Sequence, residues 1–257
     1  MSHRNLLRRY QSNLFPMCVA LLFIAGLASA VNAQNPALSQ PVATTEAMQQ
    51  KALGLGKVFT YFFVMLGPIK ILAPFMKLTQ NTDASFQRQL AVRAFFLACI
   101  SGVVAAIAGQ ALLQNWGVSL PALLIAAGIV LFLVALRTVI QQYEPAKEQS
   151  PPPTPSLALA FTPLTFPTII TPYGTAVLVL LLAAAETISL DISILGIFLA
   201  VMVINLLAML FAAQLLKFIG ITTLRILGAL LGILQVALAI QMILGAFILL
   251  GVLPPRS

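Results

Sequence analysis

Six apolar stretches set the frame for this chain, because each reaches the length a helix needs to cross a bilayer. They fall near residues 58–76, 90–113, 120–136, 157–185, 192–216 and 224–253. A hydrocarbon interior offers peptide groups no water, so such stretches cross as helices, whose backbone bonds are internal. The chain is 60% hydrophobic and 8% charged. Soluble domains carry about a quarter charged residues. The expected fold is an all-α polytopic membrane protein with six transmembrane helices and membrane lipid as its surroundings.

Several functions are excluded by what is missing. The net charge of +8 is spread along the chain beside apolar runs, without an interleaved aromatic patch, so no nucleic-acid partner is expected. Cys18 and Cys99 give neither a disulfide framework nor metal spacing, and the single histidine is His3. No Gly-rich phosphate loop, embedded Asp pair or Cys-His pair is present. An enzyme is not expected, nor are a catalytic residue, a metal or a cofactor. Coupling by a sodium ion or a proton is what remains.

Topology follows from the charges. Residues 1–33 read as a signal peptide: Arg4, Arg8 and Arg9 precede an apolar core over 14–27 and the small-residue sites Ala28-Ser29-Ala30 and Val31-Asn32-Ala33. A polar periplasmic lead over 34–56 comes next, then a first three-helix repeat over 57–140. A proline-rich cytoplasmic linker over 141–156 leads to a second three-helix repeat over 157–253. Lys77, Arg88, Arg93, Arg137, Lys147, Lys217 and Arg225 follow odd-numbered stretches, whereas the loops after the second and fourth hold no base and the latter holds Glu186 and Asp191. The asymmetry puts odd-numbered exits in the cytoplasm and both mature termini in the periplasm.

Two stretches are interrupted. Gly67, Pro68 and Pro74 break the first around Lys70, and Pro163, Pro167 and Pro172 break the fourth, which is too long for one simple crossing. A proline deletes a helical donor and crowds the preceding turn, so in lipid the freed groups must find protein or a wet cavity. A shift of 104 positions lays Pro68 on Pro172, Gln110 on Gln214 and Gly128 on Gly232. Three crossings per half is an odd number, so the second half is expected upside down: an inverted 3+3 repeat with helices 1 and 4 broken.

Half-helix ends at such breaks attract a carboxylate at one end and a cation at the other, which together suit a small zwitterion. The candidate substrate or ion site comprises Gly67, Pro68, Lys70, Pro74, Pro167, Thr168, Thr171, Pro172, Tyr173 and Gly174. Lys70 has four open roles: snorkelling toward an interface, pairing with a substrate carboxylate, standing in for a coupling cation, or carrying a proton. The threonines, with Thr165, either serve a ligand or satisfy the backbone the prolines free. Gln110, Asn205, Gln214 and Gln241 are candidate path-lining groups, and Gln235 is a further amide in an apolar span, all equally suited to bonds between helices. The small-residue faces Gly102/Ala105/Ala106/Gly109 and Gly228/Gly232 suit helix packing or a homo-oligomer.

Three runs stand out: Gly109-Gln110 with Gly117-Val118-Ser119-Leu120-Pro121-Ala122, Ile125-Ala126-Ala127-Gly128-Ile129 and Phe132; Pro163-Leu164-Thr165-Phe166-Pro167 with Thr171-Pro172-Tyr173-Gly174; and Ala239-Ile240-Gln241 with Gly245. Together they resemble the MarC family of six-span inner-membrane proteins. The resemblance implies a bacterial inner-membrane protein grouped with neutral amino-acid transporters such as SnatA and placed near LysE-type exporters. Many relatives carry Asn-Pro-x-Gly where this chain has Gly67-Pro68-Ile69-Lys70, and Gly-Pro-Gly where it has Thr171-Pro172-Tyr173-Gly174. The expectation is a secondary transporter or exporter of small neutral amino acids. The alternative is a non-transporting membrane interaction or stress-related protein whose breaks serve packing alone.

Overall fold

The structure is a computed structural model that describes residues 43–140, 156–185 and 187–254. The signal segment expected over 1–33, the start of the 34–56 lead, all but the last residue of the 141–156 linker, and Glu186 lie outside the described residues. Within them the regular elements are helical. They are α1 (Ala43–Leu66), α2 (Ile69–Leu78), α3 (Ala84–Asn115) and α4 (Leu120–Ile140). A 3-10 turn at Leu157–Ala160 and a wide, irregular coil at Phe161–Ile169 follow. The chain continues with α5 (Pro172–Ala183), α6 (Ile188–Leu210), α7 (Ala212–Ile219) and α8 (Ile221–Leu249). Among the described residues five stretches are long and apolar enough to cross a membrane, and Leu157–Ile169 with Pro172–Ala183 makes a sixth, bent by 62°.

Three boundaries differ from the sequence reading. First, α1 begins at Ala43, inside the polar lead, because 43–53 is rich in alanine, methionine, glutamine, lysine and leucine, which favour helix without being apolar enough to read as a span. Second, α6 begins at Ile188, capped by Thr187, whose hydroxyl accepts from Leu190 N at 3.3 Å; Asp191 therefore sits in its first turn rather than in a loop. That is the end of a helix where a carboxylate is favoured. Third, the fifth apolar stretch divides at Phe211 (φ −108°, ψ 16°) into α6 and α7.

The repeat is visible in the element bounds. Moving Ala84–Asn115 by 104 positions gives 188–219, the range that α6 and α7 together occupy. The same shift carries α2 onto α5 almost end to end. Two pairs related by the shift pack on each other, α3 on α6 and α4 along α8, while α1 packs on α5 and α2 on the coil before it, two contacts that the shift exchanges. A two-fold relation between halves would make contacts reciprocal in this way.

Packing follows the rules of a lipid solvent. On α3 the small residues Ala94, Ala98, Gly102 and Ala106 face inward, while Phe96, Ile100, Val104 and Ile107 are exposed. Water would penalise so large an apolar face, and lipid does not. A Cβ on Gly102 would overlap the Phe198 ring, and one on Gly109 would overlap Val179, so these glycines serve contacts within the chain. The most enclosed stretch is at the end of α1, where residues 62–69 are all buried. The first break therefore lies at the centre of the bundle.

Candidate functional site

Helix α1 stops at Leu66 because Pro68 has no N–H to offer the Val64 carbonyl and its ring crowds that turn. Gly67 is required just before it: a Cβ there would run into the Phe63 carbonyl. Pro68 (φ −70°, ψ −21°) then opens α2, its carbonyl accepting from Ile71 N at 3.2 Å and Leu72 N at 3.3 Å. Pro74 does not add to the break. It lies inside a continuous α2, so the first interruption is the dipeptide Gly67-Pro68 and not the whole of 67–74.

Three successive carbonyls at the end of α1 are taken by side chains. Gln235 Nε2 on α8 donates to Val64 O at 2.7 Å, and Asn205 Nδ2 on α6 donates to Leu66 O at 2.7 Å. Between them, Lys70 Nζ donates to Met65 O at 3.4 Å. Both amides are fully buried. A carbonyl needs a donor, which fixes the amide orientations chemically. The Asn205 Oδ1 that results is buried and has no hydrogen-bond partner.

The second break is built differently. The coil before α5 contains two cis X-Pro bonds, at Thr162-Pro163 and Phe166-Pro167, and non-helical Thr162 and Phe166. Thr165 Oγ1 donates to Ala160 O at 2.6 Å and lies 3.3 Å from Ala94 O on α3, while Thr168 Oγ1 donates to Pro163 O at 2.8 Å. Thr171 caps α5 by accepting from Gly174 N at 3.1 Å, with Pro172 at the first helical position, where a missing N–H costs nothing. The threonine hydroxyls are thus engaged with the backbone.

Lys70 and Tyr173 join the breaks. The Lys70 ammonium donates to Tyr173 Oη at 2.5 Å and stands 4.8 Å from the ring centroid. Being so much nearer the hydroxyl, it lies off the oxygen end of the ring rather than above the face, so the hydrogen bond outweighs the cation–π contact. Tyr173 is buried, and a Cβ on Gly174 would overlap the Leu66 side chain, so α5 meets the end of α1 in direct contact. The negative end of α1 and the positive end of α5 converge on one ammonium. Among the described residues its polar contacts are with oxygens and a ring, and none is with a carboxylate.

A MarC family profile, described as MarC family integral membrane protein, matches residues 54–249. The chain belongs to the MarC family. It is 26% identical over 210 residues to inner membrane protein MarC of Citrobacter koseri, covering 76% of this chain and 93% of that protein. Proteins of the same name from Escherichia coli K12 and Shigella flexneri are 26% identical over 145 residues, 54% of this chain and 63% of theirs. No solved structure matches. The MarC match takes in both breaks and every residue bonded to the end of α1.

Of the candidate residues in this MarC-family chain, Gly67, Pro68, Lys70, Thr171, Tyr173, Gly174 and Asn205 come together. Pro167 and Pro172 are exposed, and Thr168 is turned to its own coil. Gln241 lines a recess of about 250 Å³ with Tyr61, Met65, Leu124 and Val177; Gln110 lines another of about 230 Å³ with Gln114 and Ala183. Met65 is the residue that the first recess shares with the break. Gln214 is exposed on α7. The residue that sequence reasoning undervalued is Gln235. Its only signal was an amide in an apolar helix, and what it caps lies 171 positions away.

Proposed function

We propose that this chain is a secondary transporter or exporter of small neutral amino acids in the bacterial inner membrane, with both mature termini periplasmic. It works by alternating access of its two inverted halves around the paired breaks. The observation that carries the reading is the Lys70–Tyr173 bond, which ties the break of one half to the break of the other at the most enclosed point of the bundle. A charge held there is costly in lipid and is kept where it meets a substrate or ion. The α5 end and Lys70 suit a substrate carboxylate, and the unpartnered Asn205 Oδ1 suits its ammonium group. The recess beside Met65 gives a small side chain room.

Flux of a panel of neutral amino acids into and out of proteoliposomes tests this. Saturable movement lost in Lys70→Met, with the variant still inserted, is the expected result. Failure of the whole panel under imposed sodium and proton gradients would leave the breaks as packing devices.

A further inference from the structure

We propose that the Lys70 ammonium is a tethered cation occupying the place that an inorganic monovalent cation would take at the first break, so that this chain works without sodium. The proposal rests on the transporter reading for its consequence, and on geometry for its site. Breaking α1 at Gly67-Pro68 leaves a run of carbonyls at the negative end of a helix. Neutral amides cap the two outer ones, Val64 O and Leu66 O, and the central one, Met65 O, faces a full positive charge. The remaining partner of that charge is the Tyr173 hydroxyl. Carbonyl and hydroxyl oxygens with no carboxylate are the environment of a weakly held alkali ion.

A second observation comes from another helix. Asn205 is 1% exposed, its Nδ2 is engaged with Leu66 O, and its Oδ1 is left without a donor. An orphaned acceptor beside the freed carbonyls adds one more oxygen to the cluster than the lysine uses. Removing the lysine side chain would leave Met65 O, Tyr173 Oη and Asn205 Oδ1 as buried acceptors that share one donor, the Tyr173 hydroxyl proton. Such a set attracts a cation, since each unsatisfied group is expensive in an apolar interior. The lysine supplies that cation covalently, at fixed stoichiometry and without a gradient.

Cation binding can be read in detergent without any substrate, which separates this proposal from the transport reading. Thermal stability and equilibrium binding of radioactive sodium are measured on full-length wild type, Lys70→Gly and Lys70→Met, in sodium or in N-methylglucamine. Wild type and Lys70→Met, which fills the space without the charge, should be indifferent to sodium. Lys70→Gly should bind about one sodium per chain, with Tm rising about 3–5 °C for each tenfold of sodium above its Kd. Methylammonium, which restores the missing group, should do the same. If Lys70→Gly can be purified folded only in sodium or methylammonium, the result supports the proposal; if no cation recovers or stabilises it, the proposal is wrong. Saturable sodium binding by wild type would equally overturn it. Absence of amino-acid flux with these binding results intact would sink the transporter reading alone.

Discussion

Replacing Tyr173 with phenylalanine removes one atom from the contact between the halves and leaves the buried ring in place. The atom is the oxygen that accepts from Lys70 at 2.5 Å. A hydrogen bond to a charged group is worth about 1.5–3 kcal/mol net, whereas bonds between neutral groups on membrane helices average about 0.6 kcal/mol. The ring retained in Tyr173→Phe compensates little, because the ammonium lies off its hydroxyl end at 4.8 Å from the centroid. Lys70→Met keeps an unbranched side chain of similar length without the charge. In that background the same Tyr173→Phe change should be close to neutral. The double-mutant cycle is therefore expected to give a coupling of about 1.5–3 kcal/mol, which in a melt of the purified protein is a differential Tm shift of about 3–12 °C. A coupling below about 0.5 kcal/mol would refute the reasoning, because distant or uncoupled sites add to within that margin.

Three further outcomes follow from the same geometry. Gly67→Ala drives a Cβ into the Phe63 carbonyl, an overlap with backbone that cannot be relieved by a rotamer change; a loss of about 1–3 kcal/mol, read in a melt of the purified protein, is expected. Gln235→Leu leaves Val64 O without its donor and should cost about 0.6–1.7 kcal/mol in the same melts, whereas Gln241→Leu should leave the Val64 carbonyl protected. Thr171→Ala removes the cap of α5 and should cost about 0.5–2 kcal/mol, with Thr171→Ser recovering most of it.

The fold was legible because bilayer crossing imposes length and polarity on each helix separately, and both are local properties. The breaks were legible for the same reason: Pro68 and Pro172 act on their own turns whatever surrounds them. Pro74 shows the limit of that logic. It too lacks an N–H, yet α2 runs through it, since a helix already started at Pro68 can bridge one missing donor where tertiary contacts hold it. Asn205 and Gln235 show a different limit. Their identities said only that an amide was buried in an apolar span; their partners, Leu66 O and Val64 O, are backbone groups 139 and 171 positions away, and backbone groups leave no mark in a sequence. Lys70 was conspicuous for its charge, but the direction of its stem depended on where Tyr173 would lie.

The two halves share element bounds under the 104-residue shift but differ in shape, and the mismatch has a direction. In the first half Gly54–Leu78 counts as a single span despite the Gly67-Pro68 break, and α3 runs unbroken for 32 residues. In the second half the corresponding elements are bent by 62° before Pro172 and divided at Phe211, whose counterpart under the 104-residue shift is Ile107, well inside α3. Identical halves packed across a two-fold would share one conformation; these halves hold two. For an inverted pair that difference is what alternating access needs, since exchanging the straight and bent forms between halves turns the opening from one face to the other. On the proposed transporter reading, the energetic gap between the two arrangements is small, and a contact made by both halves is placed to set it. Lys70 with Tyr173 is such a contact: one end is fixed to the straight half and the other to the bent half.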